Sequence, residues 1–136
     1  MGLQEVERFH TIHNYIDFDS MILRKGAIRA KENETVLIPM NMRDGSLLCV
    51  GKGNEDWNYS APHGAGRLYS RSKAKQLISI EEFENSMKDV YTTSVSTSTI
   101  DEAPQVYKPM QEIIDCIGDT VEVIDILKPL YNFKAN

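Results

Sequence analysis

His63 stands between Pro62 and the run Gly64-Ala65-Gly66, with Arg67, Ser70, Arg71, Ser72 and Lys73 following closely. Glycines let backbone N–H groups come near a ligand, and the proline restricts how the chain arrives. A helix opening near Gly64 would add unpaired donors and the positive end of a dipole. That combination suits an anion, a phosphate above all. Arg67 and Arg71 lie one turn apart on such a helix, where both guanidiniums could clamp the same oxygens in forked geometry. An imidazole held there is a candidate nucleophile toward phosphorus, and a helix start would disfavour its protonated form and keep a ring lone pair available. The plainer reading of the same residues is a polar cap followed by a solvated basic face, since Arg67, Arg71, Lys73 and Lys75 fall in a stretch without an acid.

Other groups carry less chemistry on their own. His13 precedes Asn14 at the end of a strand-like run; one histidine does not make a metal site, so by residue type alone a hydrogen-bonded structural role is favoured. His10 falls on the opposite face and reads as structural. Gly51-Lys52-Gly53-Asn54 is a turn after a strand, and Asp101-Glu102-Ala103-Pro104 has the chemistry of a helix start. Cys49 and Cys116 are too few and too far apart for a zinc knuckle or a disulfide framework, and both are expected to be reduced core residues.

The elements that must position these groups are mixed α and β. Short apolar runs at Phe9, Ile12 and Tyr15-Ile16, at Met21 to Leu23, Ala27-Ile28, Val36 to Ile38 and Leu47 to Val50, divided by turn residues, predict strands, and Asp44-Gly45 predicts a hairpin over Val36 to Val50 with a long connection. Three helices follow. The first is expected from Gly64 to about Ile78. The second opens on a capping box, Ser79 with Glu82, stapled by Ile78 and Phe83. The third begins at Pro109, carries Met110, Ile113, Ile114 and Ile117 on one face, and stops at Gly118. Val121 to Leu127 reads as a buried strand ended before Leu130 to Lys134 by Pro129, and Thr92 to Thr99 as a surface loop or edge strand.

Length and composition fit one domain over residues 1–136, with 41% hydrophobic and 26% charged residues. A net charge of −5 argues against indiscriminate nucleic-acid binding, leaving the basic run after His63 as a local exception. No window approaches the ~20 apolar residues of a membrane span, and no secretory signal is visible, so the expectation is a cytoplasmic protein without a membrane partner.

Five motifs taken together add a resemblance. His13-Asn14-Tyr15-Ile16, Arg24-Lys25-Gly26-Ala27, Gly51-Lys52-Gly53-Asn54, His63-Gly64-Ala65-Gly66-Arg67 with Ser70-Arg71, and Asp101-Glu102-Ala103-Pro104 with Tyr107-Lys108 occur in the order seen in the RtcB family of RNA ligases. The chain resembles the C-terminal portion of that family's α/β catalytic fold, from about Ile12 to Lys134. The resemblance implies a GTP- and manganese-dependent ligase joining RNA 3′-phosphate or 2′,3′-cyclic phosphate ends to 5′-hydroxyl ends, in tRNA splicing or RNA repair. It implies His63 as the residue that carries GMP, assisted by Arg67 and Arg71, with Gly64, Ala65 and Gly66 at the nucleotide. His13 would bind manganese, Tyr107 would lie near the nucleotide, and Lys134 would contact the guanine. Tyr107 and Lys134 are equally consistent with ordinary surface positions.

The family's remaining metal ligands, an aspartate, a cysteine and two histidines, belong to its N-terminal part. The expectation is therefore a fragment lacking that metal-binding part, with little ligase activity by itself, associating with the absent part or with another copy. Pro39-Met40-Asn41-Met42-Arg43-Asp44-Gly45 departs from the family's proline-glycine-serine-methionine-glycine loop, whose small residues contact the nucleotide; larger side chains here imply an altered fit or a divergent branch. Two rival readings stay open. One is a non-catalytic module binding RNA or a partner, and the other a nucleotidyl- or phosphoryl-transfer protein that does not ligate.

Overall fold

The computed structural model describes residues 9–134; Ala135 and Asn136 at the chain's end lie outside the described residues. The described chain runs β1 (His13–Asp17), β2 (Ile22–Arg29), β3 (Thr35–Asn41), β4 (Gly45–Gly51), β5 (Ser60–Pro62), α1 (Arg71–Leu77), α2 (Ile80–Ser86), β6 (Tyr91–Thr92), α3 (Met110–Ile117), β7 (Val121–Leu127) and β8 (Tyr131–Asn132). The fold is mixed α/β, as the pattern of apolar runs and helical periodicity indicated. One antiparallel sheet has the order β1-β2-β5 and a second the order β3-β4-β7, while β6 and β8 pair in parallel.

Strict alternation makes the second sheet. Val36, Ile38 and Met40 of β3 and Leu47 and Cys49 of β4 point inward, and Ile113 and Ile117 of α3 close over them at helical spacing. Each such burial contributes about 1.5–3 kcal/mol. A second apolar cluster gathers Ala74 of α1, Ile78, Phe83 of α2, Met87 and Val106, and Tyr107 packs against both clusters. The first sheet is fastened differently. The buried Arg24 donates from Nη1 to Asp17 Oδ2 at 3.0 Å, from Nε to Ser60 Oγ at 2.9 Å and from Nη2 to the Asn58 carbonyl at 3.1 Å. One guanidinium thus ties β1 and β2 to β5, the strand that leads into His63.

The capping box forms as expected. Glu82 N–H donates to Ser79 Oγ at 3.2 Å, and Ser79 N–H donates to Glu82 Oε2 at 2.9 Å, with Ile78 and Phe83 buried beside them. A Ser79→Ala chain is expected to lose about 1 kcal/mol of stability, read as a lower urea midpoint with an unchanged slope.

Several expectations are corrected. The first helix begins at Arg71 behind a Ser70 cap, not at Gly64, because Gly66 at φ +73° and the short pairing of Arg67 with Tyr107 keep Gly64 to Ser70 out of helical geometry. The hairpin connection is short, since Asn41 pairs with Gly45 and the Asn41 side chain accepts from the N–H groups of Arg43 and Asp44. Strand β7 is an edge, paired only with β4, so Val121 is its buried residue while Ile124, Ile126 and Leu127 are exposed. Cys49 is buried, and burial pushes its thiol up to about 11, whereas Cys116 lies on the exposed side of α3. The stretch from Thr92 to Thr99 leaves β6 as a loop and enters a 3-10 turn, Thr97–Glu102, with Ser94 and Thr99 buried and hydrogen-bonded. Among the described residues, no helix is long and apolar enough to cross a membrane.

Candidate functional site

A cleft of about 780 Å³ opens between the β3–β4 hairpin, the Gly64–Arg67 loop and the segment from Leu127 to Lys134, with His63 on its rim. Strand β5 pairs with β2 so that Pro62 faces Ala27, which sets His63 beside Gly26. The His63 Nδ1 lies 2.7 Å from the Gly26 carbonyl oxygen. A carbonyl oxygen only accepts, so Nδ1 carries the proton and the neutral ring holds its lone pair on Nε2. This contact, rather than a helix dipole, sets which ring nitrogen carries the proton. Gly26 is used for its backbone at φ +68°, because an added Cβ would meet the His63 ring only in ordinary contact at 3.7 Å.

The loop after His63 differs from the expected helix mouth. Ala65 N–H is taken by the Pro39 carbonyl at 3.2 Å, and a Cβ on Gly64 would crowd the same oxygen at 3.1 Å. Gly64 and Gly66 have no backbone acceptor for their N–H groups among the described residues, so these are the donors left for an anion.

Arg67 and Arg71 do not form a pair. Arg67 donates from Nη1 to the Asp101 carbonyl at 2.6 Å and from Nη2 to Glu102 Oε1 and to the Tyr107 hydroxyl at 3.2 Å. Arg71 is exposed and approaches Asp101 Oδ2 at 3.6 Å, with Lys75 at the same distance from Oδ1. The expected basic stripe is thus partly neutralised by Asp101 and Glu102, acids distant in sequence.

Glu102 organises the far wall of the cleft. Its carboxylate accepts from Arg67, from the Tyr107 hydroxyl at 2.8 Å and from Lys134 Nζ at 3.1 Å. Burial would raise the Glu102 carboxyl, but hydrogen bonds from Tyr107 and Lys134 and the charges of Lys134 and Arg67 together hold it below the ordinary range. Burial first, then the bond and charge of Glu102, push the Tyr107 phenol up to about 12. Lys134 and Tyr107 thus stand together in the lining of the cleft, joined through Glu102. Its local signal is that of a cap ahead of Pro104; Tyr107 is five residues on, but Arg67 and Lys134 reach Glu102 from thirty-five residues before and thirty-two after, so the hub forms only in the folded chain.

His13 opens β1 and stacks on His63, with ring centroids 5.3 Å apart and planes 26° from parallel. Among the described residues, no three His, Cys, Asp or Glu side chains gather to hold an ion. Gly51-Lys52-Gly53-Asn54 does not wall the cleft. Lys52 Nζ and Asn54 Nδ2 instead donate to the carbonyls of Gly118 and Asp119, closing the end of α3. Met40 and Met42 are buried and, with Asn41, line the cleft where the family pattern has small residues.

A family model described as tRNA-splicing ligase RtcB matches residues 3–135. RNA-splicing ligase RtcB of Escherichia coli K12 is 34% identical over 136 residues, covering 96% of this chain and 33% of the relative. The tRNA-splicing ligase RtcB of Nanoarchaeum equitans is 33% identical over 112 residues, covering 69% of this chain and 24% of that protein. That of Aeropyrum pernix is 34% identical over 111 residues, covering 68% and 23%. The chain spans at most about a third of the length of these relatives.

Proposed function

From the membership of this chain in the RtcB family, which its sequence shows over nearly its whole length, we propose that it carries the nucleotide-transfer centre of an RNA ligase. The observation that supports this most directly is the His63 ring, whose Nδ1–H is committed to Gly26 and whose Nε2 is left with a lone pair at the rim of a cleft of nucleotide size.

In this reading His63 Nε2 attacks the α-phosphorus of GTP; the N–P bond forms, the bond to the β-phosphate's bridging oxygen breaks, and pyrophosphate leaves. The GMP then passes to an RNA 3′-phosphate, and a 5′-hydroxyl displaces it as the ends join. The N–H groups of Gly64 and Gly66 would meet phosphate oxygens beside Ala65. Lys134 and Tyr107, held by Glu102, would face the guanine, with Arg67 fixing that wall rather than clamping phosphate. Arg71, exposed at the start of α1, would meet the RNA.

Manganese does not fit the described residues as a complete centre. His13 offers one nitrogen, and such an ion takes several nitrogen or oxygen ligands. The remaining ligands would come from a part corresponding to the two-thirds of the relatives that this chain does not match, supplied in cytoplasm together with broken RNA ends or tRNA halves.

The test is covalent labelling. Incubated with GTP labelled at the α-phosphate, manganese and a segment that supplies the remaining metal ligands, the chain is expected to retain label through denaturation, as an acid-labile phosphoramidate. His63→Ala is expected to lower that label at least about 100-fold, as removal of a nucleophile does. A folded parent chain that takes up no label would overturn the reading.

One observation favours the binding-module reading instead. Ile16 and Leu23 pair across β1 and β2 with both side chains exposed, near the exposed Phe18 and Met21. Concentration-dependent association without any guanylate label would be the signature of that module.

A further inference from the structure

We propose that Asn14 is a positioning residue for the His63 imidazole, acting through Gly26; its part in catalysis rests on the reading of His63 as the nucleophile. The register of the first sheet shows how. His13 pairs with Ile28 and Tyr15 with Arg24, so β1 advances two residues while β2 advances four. The surplus in β2 is a bulge that contains Gly26, and bulges re-aim backbone groups at functional sites. Here the bulged Gly26, at φ +68°, turns its carbonyl onto His63 Nδ1.

A bulge also strips a residue of its regular ladder partner. Asn14 makes good that loss, since its side-chain Oδ1 accepts from Gly26 N–H at 2.6 Å. To reach it, Asn14 itself takes the left-handed conformation at φ 57°, which asparagine tolerates better than most residues. Gly26 is therefore held on both sides, with its N–H fixed by Asn14 and its carbonyl fixing the ring. Neither bond is within a regular strand ladder, and each lies among the shorter contacts of its kind. The sequence places Asn14 twelve residues from Gly26 and Gly26 thirty-seven from His63, so the relay exists only in the folded chain.

Two substitutions separate this role from a general structural one. Asn14→Gly removes the acceptor yet accommodates the left-handed backbone without strain, and Asn14→Asp keeps an acceptor oxygen in the same place. The full chain, with ¹⁵N-labelled histidine, is examined by long-range ¹H–¹⁵N spectra at about pH 8, where ordinary histidine is neutral. The parent is expected to show His63 as the Nδ1–H tautomer. In Asn14→Gly the ratio of Nδ1–H to Nε2–H is expected to fall roughly fivefold, the equivalent of one lost hydrogen bond, and in Asn14→Asp to return toward the parent. An Nε2–H tautomer in the parent, an unchanged ratio in Asn14→Gly, or equal shifts in both variants overturns the proposal. The tautomer is read without nucleotide, so a chain that shows the expected ratios but takes no guanylate refutes the ligase reading and leaves the Asn14 relay standing. Where label is taken up, its rate is expected to follow the tautomer ratio across the three chains.

Discussion

A Gly45→Ala chain is expected to be less stable than the parent by about 3 kcal/mol or more, with a urea midpoint displaced accordingly. Gly45 begins β4 at φ +87°, and a Cβ there would lie 2.0 Å from the Leu127 carbonyl oxygen and 3.0 Å from Pro129 Cδ. The first contact is with backbone, which cannot rotate aside. Either the hairpin turn opens or the end of β7 is pushed off, and Leu127 and Pro129 form a wall of the cleft. Labelling of His63 should fall with stability in this variant. Gly66→Ala is the control: it has a similar φ of +73° but nothing within 4 Å of the added Cβ, so only the conformational cost of about 1–2 kcal/mol is expected. Equal losses in the two variants would refute the steric account of Gly45.

Glu102→Ala is the second large effect, expected to cost about 2 kcal/mol at neutral pH and to weaken guanylate capture about tenfold or more. Removing the carboxylate leaves Arg67, Lys134 and Tyr107 without their common acceptor. Charged hydrogen bonds are worth about 1.5–3 kcal/mol when buried, and partial exposure of this cluster to solvent screens the sum to the lower figure. The pH dependence has a definite sign. A carboxyl held below its ordinary value contributes stability that is complete above the unfolded value of about 4.3 and is lost as pH falls through the folded one. Urea midpoints of parent and Glu102→Ala should therefore differ most near neutrality and converge in acid. A gap that widens in acid, or a variant as stable as the parent at neutral pH, would show that Glu102 is not the hub of this wall.

Local rules carried the elements whose signals are complete within a few residues. Ser79 with Glu82, flanked by Ile78 and Phe83, is a helix start whichever tertiary neighbours it meets. The alternation in β3 and β4 and the apolar stripe of α3 were legible for the same reason. The Gly64 to Ser70 segment was misread as helix because the pairing of Arg67 with Tyr107, forty residues away, overrides local preference. Burial of β7 was misread because an apolar run does not tell how many neighbours a strand will have.

By itself the sequence determined the mixed α/β class, the motifs that mark the RtcB family, and the histidine between Pro62 and Gly64 as the group to watch. Tertiary structure decided how that histidine is prepared, through Gly26 and Asn14, and turned Arg67 from a phosphate clamp into a strut for Glu102. The physical reason is one of range. Chemical type and helical or strand period are properties of neighbours along the chain, whereas a ring's tautomer and a guanidinium's partner depend on single hydrogen bonds between segments that only folding brings within 3 Å.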